Sequence, residues 1–586
     1  MRKRSRTSAR DVAVVWLVIA ACGDEGASPT PSTDDAGATD AAGLDGATDA
    51  AEPPDAAEDA GGWLDSAPGE LVLISGTDLE GNVANAPADW PDDAGAWNAK
   101  GASYHAATGK LVFETHREDI LGGSIRPAGI TAWGIASVYV AGPETGTVEE
   151  SGTSVLYVAN EDGGDPVCIG CIDAVDGVDG VSIHRVRPSE GAGAGEVERQ
   201  EGAAVYANQN KDLAAWLPDG EWILAGVEMP RHPLRHSLGA SEIGMFNDLW
   251  AISADGLTWV QLTDYQSTWE HADSVAAVPY ACGQVGRCAA GCQYSTQEVP
   301  GPYDAYFCSS EGEPPPAAGT MRPRASNGAA GSTPGSAKVI WAERVGLSPD
   351  YVWAGVLQLA MADLVFEDGL PALVGYEQHL TPTPEHPDGR GLWSNPGGVT
   401  TIGAGYESWD FSHDDSLFAF ASDAFLSTSN QVPRSATQAF TDSCVWAWNA
   451  DPPSLSNLTR FDAEVYAYEN NGFGGEYREY GHWEEPTVFS RPDVDVPWIA
   501  FASSADLDPP WSSSDTFALE TWIVRQDRAG AAVRLTDLNG PEVEEKRWSY
   551  PTAMHPGEQA LYLTVVVGEP GGNSPGRIYA VRVPEL

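Results

Sequence analysis

Short runs in which apolar residues alternate with small or polar ones recur along the chain, and Gly, Pro, Asp and Asn separate them. Four such runs form one unit. Clear copies of the unit extend over residues 216–264, 409–460 and 486–537. Alternation with a period of two is typical of half-buried β-strands, and the turn residues between runs indicate hairpins. The pattern therefore predicts four short antiparallel strands per copy and an all-β fold.

Two Asp-Gly pairs, Asp219-Gly220 and Asp255-Gly256, lie between predicted strands. A tight hairpin needs positive φ values, which Gly adopts without steric cost. One four-stranded sheet cannot bury both of its faces, so the copies are expected to pack radially around an axis. The tryptophans of the repeat are then interpreted as packing residues between sheets: Trp216, Trp222 and Trp409.

The copies closely resemble the repeat of TolB-like (WD40-like) propellers: an inner strand, a Ser-Pro-Asp-Gly-type turn, an Ile-Ala-Phe strand, a Tyr/Trp-Val strand and a closing Leu-Thr. The matching segments include Pro218-Asp219-Gly220, Ile499-Ala500-Phe501, Trp522-Ile523-Val524 and Leu535-Thr536. The resemblance implies a β-propeller of four-stranded blades. It extends over nearly everything from about residue 70 to the C-terminus, although its motifs are specific only in the three clear copies.

Weaker copies begin near Tyr104, Val155, Lys338 and Ser549. Counting them favours seven blades, with six as the alternative if the first two fragments merge. Only three strands are evident in the last copy. Leu71-Val72-Leu73-Ile74 is therefore predicted to supply the fourth strand and to close the ring, which removes exposed sheet edges.

The N-terminus has the pattern of an export signal over residues 1–21, with a basic start and a short apolar run. The run ends in Ile19-Ala20-Ala21-Cys22, which resembles the bacterial lipobox, so Cys22 is predicted to become a lipidated first residue. An ordinary signal peptide with an incidental cysteine is the alternative. Residues 22–66, rich in Asp, Ala and Gly, are predicted to be an acidic disordered linker, and residues 67–586 form the propeller. We expect an exported protein, anchored by its lipid to the bacterial cell envelope at the outer membrane.

The net charge of -53 at pH 7 disfavours nucleic acid and anionic headgroups as partners. The expected partners are the membrane, through the lipid, and an envelope protein or glycan; we expect a monomer.

Seven cysteines follow Cys22. Cys168 and Cys171 form a CxxC that predicts a tight local disulfide. Four more lie in a Gly- and Pro-rich insertion at about 281–335 and are candidates for two disulfides, with a zinc site as the alternative: Cys282, Cys288, Cys292 and Cys308. Cys444 stands alone.

Aromatic, His and Glu residues lead into the predicted innermost strands and are expected to converge at one mouth of the channel. Aromatic rings there could stack on a sugar or a peptide, while His with Glu could hold a divalent cation; no other cofactor is predicted. The candidate ligand-binding residues are His105, Trp269, Glu270, His271, Glu407, His482, Trp483 and Glu484.

Enzyme signatures are weak. No convincing nucleophile elbow occurs, and no catalytic residue is assigned. Residues 253–259 resemble the Asp-box of sialidase-type propellers, one residue short, and Asp173, Asp176 and Asp179 are read as an acidic hairpin rather than a calcium loop. The sequence favours a non-enzymatic binding or scaffold module. The alternative is a metal-dependent carbohydrate-active enzyme, a lyase or glycosidase, at the channel mouth.

Overall fold

A computed structural model gives the architecture, and all the residues that it describes belong to one compact unit within 59–393 and 402–586. These residues contain strands and turns but no helix. They are 63–64, 66–120, 125–127, 148–150, 153–188, 195–199, 204–228, 247–263, 317–326, 337–345, 357–380, 382, 387, 406–412, 414–422, 442–457, 483–489, 496–503, 518–527, 532–540, 543, 547–555, 559–567 and 576–584.

The first complete blade is built from residues 100–168 and has the strand order β3-β4-β7-β8. A separate hairpin, β5 with β6, belongs to the connection between β4 and β7. The strands up to this point are β1 (Leu71–Thr77), β2 (Val83–Ala84), β3 (Lys100–His105), β4 (Lys110–Arg117), β5 (Ile125–Pro127), β6 (Val148–Glu150), β7 (Thr153–Asn160) and β8 (Val167–Cys168).

Blade 2 has the order β13-β14-β15-β16, and an additional strand, β10, pairs in parallel with its outermost strand. β11 pairs with β10, and β9 pairs with β12. The strands are β9 (Ala174–Val175), β10 (Ser182–Pro188), β11 (Gly195–Arg199), β12 (Ala204–Val205), β13 (Lys211–Trp216), β14 (Trp222–Glu228), β15 (Asn247–Ser253) and β16 (Thr258–Gln261).

Blades 3, 4 and 5 each take four consecutive strands of the chain. Blade 3 begins earlier than expected, because its first strand lies within the stretch 281–335 predicted as an insertion. The strands are β17 (Ala317–Ala325), β18 (Ala337–Val345), β19 (Leu357–Glu367), β20 (Leu370–Leu380), β21 (Tyr406–Phe411), β22 (Phe418–Ser422), β23 (Asp442–Ala447), β24 (Ser454–Asn457), β25 (Trp483–Phe489), β26 (Trp498–Ser503), β27 (Glu520–Arg525) and β28 (Val533–Arg534).

Blade 6 combines the two ends of the described chain. β29 (Arg547–His555), β30 (Ala560–Val567) and β31 (Gly576–Arg582) are joined by β1, which pairs with β31 in the register Val72↔Ala580. The prediction that residues 71–74 supply the fourth strand is confirmed. Because the first strand completes the last blade, ring closure depends on pairing between residues about 500 positions apart in the sequence.

Six hydrophobic clusters show that the sheets form a ring. Each cluster joins residues of two consecutive blades, in the order 1–2, 2–3, 3–4, 4–5, 5–6 and 6–1. In β26, for example, Ile499 and Phe501 pack with Leu417 of blade 4, whereas Ala500 packs with Leu561 of blade 6. Each strand therefore buries alternate side chains against its two neighbouring blades, and the protein is a β-propeller.

The described sheets give six blades, the alternative count, and the favoured seventh is not confirmed. The two N-terminal fragments that were counted separately, near Tyr104 and Val155, pair directly as β4 and β7 in one sheet. The predicted partner of Val155, near Ile183, lies instead in β10 beside blade 2. The predicted packing role of Trp216 and Trp222 is confirmed, since both lie in clusters between blades. The side chain of Trp409 is outside the described residues.

The turn and closing motifs of the repeat have specific structural roles. Gly220 and Gly256 have positive φ values of 68° and 72°, as the hairpins require. In blade 5 the Thr536 hydroxyl accepts from the Thr521 amide (2.9 Å) and donates to Glu520 (2.5 Å). Blade 2 repeats this arrangement with Thr263, Leu249 and Asp248. The closing Leu-Thr thus fastens the fourth strand to the third.

Candidate functional site

The six innermost strands surround a central cavity. Each contributes at least one lining residue: Gly101 (β3), Leu213 (β13), Arg324 (β17), Asp410 (β21), Thr487 (β25) and Tyr550 (β29). The volume open to the centres of water molecules is about 40 Å³. That is room for a few waters, since one water needs roughly 10–15 Å³ on this measure. At this level the channel therefore admits water or a small ion, but not a sugar ring.

One side of the cavity is lined by Glu114, whose carboxylate is paired with Lys100. Glu114, which is buried, lies 2.9 Å from the Lys100 ammonium and accepts a hydrogen bond from the Leu213 amide at 3.1 Å. The carboxylate therefore joins blade 1 to blade 2 across the channel wall. Because its oxygens have donors within the protein, Glu114 acts first as a structural link.

The opposite wall carries a second carboxylate in a different state. Asp410 is partly buried and accepts a hydrogen bond from the backbone amide of the next residue, Phe411, at 2.9 Å. Burial raises the pKa of Asp410 to about 6, although the positive charge of Arg324 acts in the opposite direction. This carboxyl group therefore gains or loses its proton near neutral pH inside the channel.

Three predicted mouth residues begin innermost strands of neighbouring blades. Glu407 is the second residue of β21, and Trp483 and Glu484 are the first two of β25. Each precedes the cavity residue of its own strand, Asp410 or Thr487. Their side chains lie outside the described residues, as do all atoms of Trp269, Glu270, His271 and His482. The ligand-binding role of these residues remains a prediction.

His105 occupies a different place from the one expected. It is the last residue of β3, not a residue that leads into it, and follows the cavity residue Gly101 in its strand. Its ring contacts Thr108 (3.0 Å) and the Pro218 carbonyl of blade 2 (3.1 Å). His105 thus lies beyond the cavity along its strand, whereas Glu407 and Glu484 precede the cavity in theirs. The cause is that β3 begins at Lys100, four residues before Tyr104, where this copy was predicted to begin.

An aromatic cluster that the sequence did not predict lies where blade 6 meets blade 1. The Tyr104 hydroxyl lies 2.8 Å from Glu161 and 2.9 Å from His555, whose ring stacks on Tyr104 with centroids 4.6 Å apart. Trp63 packs against His555 and Tyr562, and burial raises the pKa of Tyr562. The five groups come from distant parts of the chain, so no local pattern could identify them. Their burial and mutual contacts indicate a role in closing the ring.

The predicted local disulfide between Cys168 and Cys171 is confirmed. The four cysteines of the predicted insertion and the lipidation site Cys22 are outside the described residues. Cys444 is buried in the cluster between blades 3 and 4.

The acidic residues of the candidate motifs accept hydrogen bonds that fix turns or join neighbouring segments. Asp173 accepts from the Ala207 amide and Asp176 from the Ile183 amide. In the segment that resembles an Asp-box, Asp255 accepts from the Ser253 hydroxyl and the Leu257 amide. Asp414 does the same for Ser412 and Ser416 in blade 4, and these bonds lower its pKa against the effect of burial. Because the same hydrogen bonds occur in both blades, the segment that resembles an Asp-box is explained by the structure of its hairpin turn.

Two features are absent from the described part of the chain. No three His, Cys, Asp or Glu side chains there are placed to share a metal ion. No helix there is long and apolar enough to cross a membrane.

Comparison with known proteins identifies similar structures but no sequence relative. The chain matches no family model and no curated protein. A protein of unknown function from Dyadobacter fermentans is similar with a TM-score of 0.35 and 8% identity, over 88% of this chain and 99% of that one. A putative TolB from Agrobacterium tumefaciens is similar with a TM-score of 0.28 and 10% identity, over 83% and 99%.

Enzymes are also among the similar structures. Prolyl oligopeptidase B from Galerina marginata has a TM-score of 0.32 and 10% identity over 83% of this chain, which spans 40% of the length of that enzyme. At these low scores the propeller assignment rests on the chain's own sheets and on the clusters between its blades.

Proposed function

We propose that the protein is an exported, envelope-anchored binding module whose partner, a protein or a glycan, docks at the channel mouth where Glu407, Trp483 and Glu484 begin their strands. The observation that carries the proposal is the size of the cavity. Because the cavity between the innermost strands leaves only about 40 Å³ open, we expect a partner to be recognised at the mouth and not in this cavity.

The composition of the mouth supports a protein or glycan as the partner. Residues 483–484 place an aromatic ring and a carboxylate on adjacent positions of β25, and Glu407 begins the innermost strand of the neighbouring blade. Aromatic rings with polar neighbours are typical of surfaces that bind sugars or peptides. The Cys168–Cys171 disulfide favours an oxidising compartment, in keeping with export.

A double variant tests this proposal. The full chain, wild type or Trp483→Ala/Glu484→Ala, is incubated with an envelope extract and with a glycan array, and bound species are identified by mass spectrometry or array position. We expect a partner that binds the wild type and is lost from the variant. The matched control, Tyr206→Ala/Glu221→Ala, removes an exposed aromatic and an exposed acidic residue elsewhere and should retain binding. Equal binding by all three proteins would contradict the proposal.

A second candidate function, a metal-dependent carbohydrate-active enzyme at the same mouth, has one observation in its favour. Burial raises the pKa of Asp410 to about 6, in the range suited to a general acid; because its cavity is too small for a sugar ring, a proton would have to reach a sugar at the mouth through water. Elemental analysis of the purified chain distinguishes the two functions. Stoichiometric metal that is lost in His271→Ala/His482→Ala would favour the enzyme, whereas a metal-free chain that binds its partner would favour the binding module.

A further inference from the structure

The Cys168–Cys171 disulfide lies at the outer edge of blade 1. Cys168 is the last residue of β8, the outermost strand, and both cysteines are partly exposed. The residues beside them, Val167 and Ile172, are 60% and 78% exposed. A thiol reagent or the thiol of another protein can therefore approach this bond from solvent.

One sulfur of the bond lies beside a fixed cation. The Arg117 Nη1 donates to Cys171 Sγ at 3.4 Å and to the Tyr157 hydroxyl at 3.1 Å, and that hydroxyl is itself 3.6 Å from the sulfur. The other guanidinium nitrogens donate to Asp119 at 2.7 and 2.5 Å, and the Trp90 ring lies 4.9 Å from the guanidinium carbon. With Arg117 only 9% exposed, Nη1 is held toward Cys171.

A second cation, Lys211, packs against the loop between the two cysteines. A Cβ atom on Gly170 would lie 2.6 Å from Lys211 Cδ, so glycine is required for this close approach. The fully buried Lys211 donates to the carbonyls of Tyr206, Ala207 and Gln209. Among the described residues, the charged groups near the disulfide include Arg117 and Lys211, opposed by Asp119, Asp173 and, near Tyr157, Asp89.

We propose that Cys168 and Cys171 form a thiol–disulfide exchange site that accepts two electrons from a dithiol, with Cys171 as the leaving sulfur. A thiolate of the dithiol attacks Cys168 Sγ, a new S–S bond forms, and the Cys168–Cys171 bond breaks with its electron pair on Cys171. The second thiolate of the dithiol then attacks the dithiol sulfur that is bonded to Cys168 Sγ. This bond breaks with its electron pair on Cys168, which is released. The dithiol is oxidised to a disulfide, its two protons pass to solvent, and the cysteines are left reduced.

The contacts of Cys171 explain this direction of attack. A thiol leaves faster when its thiolate is stabilised, and a neighbouring guanidinium stabilises a thiolate. A disulfide that serves only as a staple has no need of a charged donor at one sulfur. The site is distant in sequence from the proposed partner-binding mouth, and its test does not depend on that proposal.

The rate of reduction by dithiothreitol tests the role of Arg117. The oxidised full-length chain is treated with the reagent, quenched by alkylation, and Cys168 and Cys171 are quantified by peptide mass spectrometry. We expect Arg117→Gln to slow reduction about tenfold, and Tyr157→Phe to slow it about twofold. Arg525→Gln is the matched control, because Arg525 pairs with Asp527 by the same two hydrogen bonds as Arg117 with Asp119. It should leave the rate unchanged.

A second measurement needs no variant. In the reduced chain, the alkylation rate of Cys171 is followed against pH, and we expect its half-point well below the ordinary thiol value of about 8.5. Arg117→Gln should move the half-point upward. An ordinary half-point for Cys171, or equal reduction rates in the wild type and Arg117→Gln, would overturn the proposal and leave the disulfide as a structural staple.

Discussion

Blades 5 and 6 have the same four-stranded architecture but are held together in different ways. Blade 5 takes four consecutive strands, and buried Glu520 accepts hydrogen bonds from the Thr536 hydroxyl, the Leu538 and Asn539 amides and Arg534. Blade 6 takes three strands from the C-terminal part of the chain and its fourth from β1. One blade is therefore fixed by a local polar network, and the other by pairing between distant segments.

The difference shows where the stability of the ring is concentrated. A local network can form before the ring is complete, since its members lie within 20 residues of one another. Pairing of β1 with β31 brings together residues about 500 positions apart and carries a larger entropic cost of loop closure. We expect the 6–1 boundary to be the point on which cooperative folding depends.

The largest effect is expected from removing β1. A chain that begins after Thr77 would leave β31 as an exposed edge and would uncover Tyr562 and Ile578, which pack with Ile74. Because a domain is usually stable by only about 5–15 kcal/mol, we expect this change to abolish the cooperative thermal transition and to cause aggregation, measured by calorimetry and light scattering. A chain that begins at Trp63 should unfold like the full-length protein.

Glu520→Ala should have the next largest effect. The substitution leaves the Leu538 and Asn539 amides and the Thr536 hydroxyl without their buried acceptor, at a cost of about 3–5 kcal/mol. The free energy of unfolding in urea measures the loss. Asp527→Ala in the same blade removes an exposed carboxylate and should change it by less than about 0.5 kcal/mol. Similar losses in both variants would show that blade 5 does not depend on its local network.

A smaller, pH-dependent effect on the free energy of unfolding is expected from Asp410 in the channel, which all six blades surround. Because the folded-state pKa of Asp410 is raised to about 6 from an unfolded value near 3.9, the folded state binds the extra proton between these values. Stability should therefore fall as pH rises from about 4 to 6, by up to about 3 kcal/mol. Asp410→Asn should remove this part of the pH dependence of urea unfolding, and an unchanged slope would show that Asp410 has an ordinary pKa.

The smallest effect concerns the aromatic cluster at the 6–1 boundary. Tyr104→Phe removes one hydroxyl that contacts Glu161 and His555, at a cost of about 1 kcal/mol. The midpoint of thermal unfolding should fall by about 1–2 °C. Tyr206→Phe, a change at an exposed tyrosine, should have no effect on the midpoint. A Tyr104 variant as stable as the wild type would mean that this hydroxyl does not contribute to ring closure.

The repeat could be read from the sequence where blades are continuous and their strands apolar. Blades 2, 4 and 5 and the closing role of residues 71–74 were predictable, because alternation and turn residues mark each strand. β17 was not, since Ala317–Ala325 contains Pro323 and only one large apolar side chain, Met321, and its Arg324 lines the polar channel. Innermost strands are the hardest to predict, because the channel does not require them to be hydrophobic.

The site was predictable only in part. The CxxC spacing identified the disulfide, but Arg117 lies 54 residues before Cys171, so their contact could not be inferred from a local pattern. His105 was assigned to the mouth because the start of β3 was placed four residues too late, at Tyr104 instead of Lys100.

Hydrogen exchange measured peptide by peptide in the full-length chain tests ring closure most directly. If β1 is the fourth strand of blade 6, the amides of residues 71–77 should exchange as slowly as those of residues 576–582, and both segments should lose protection together as urea is added. Rapid exchange of residues 71–77 beside a protected segment 576–582 would show that β1 does not close the ring.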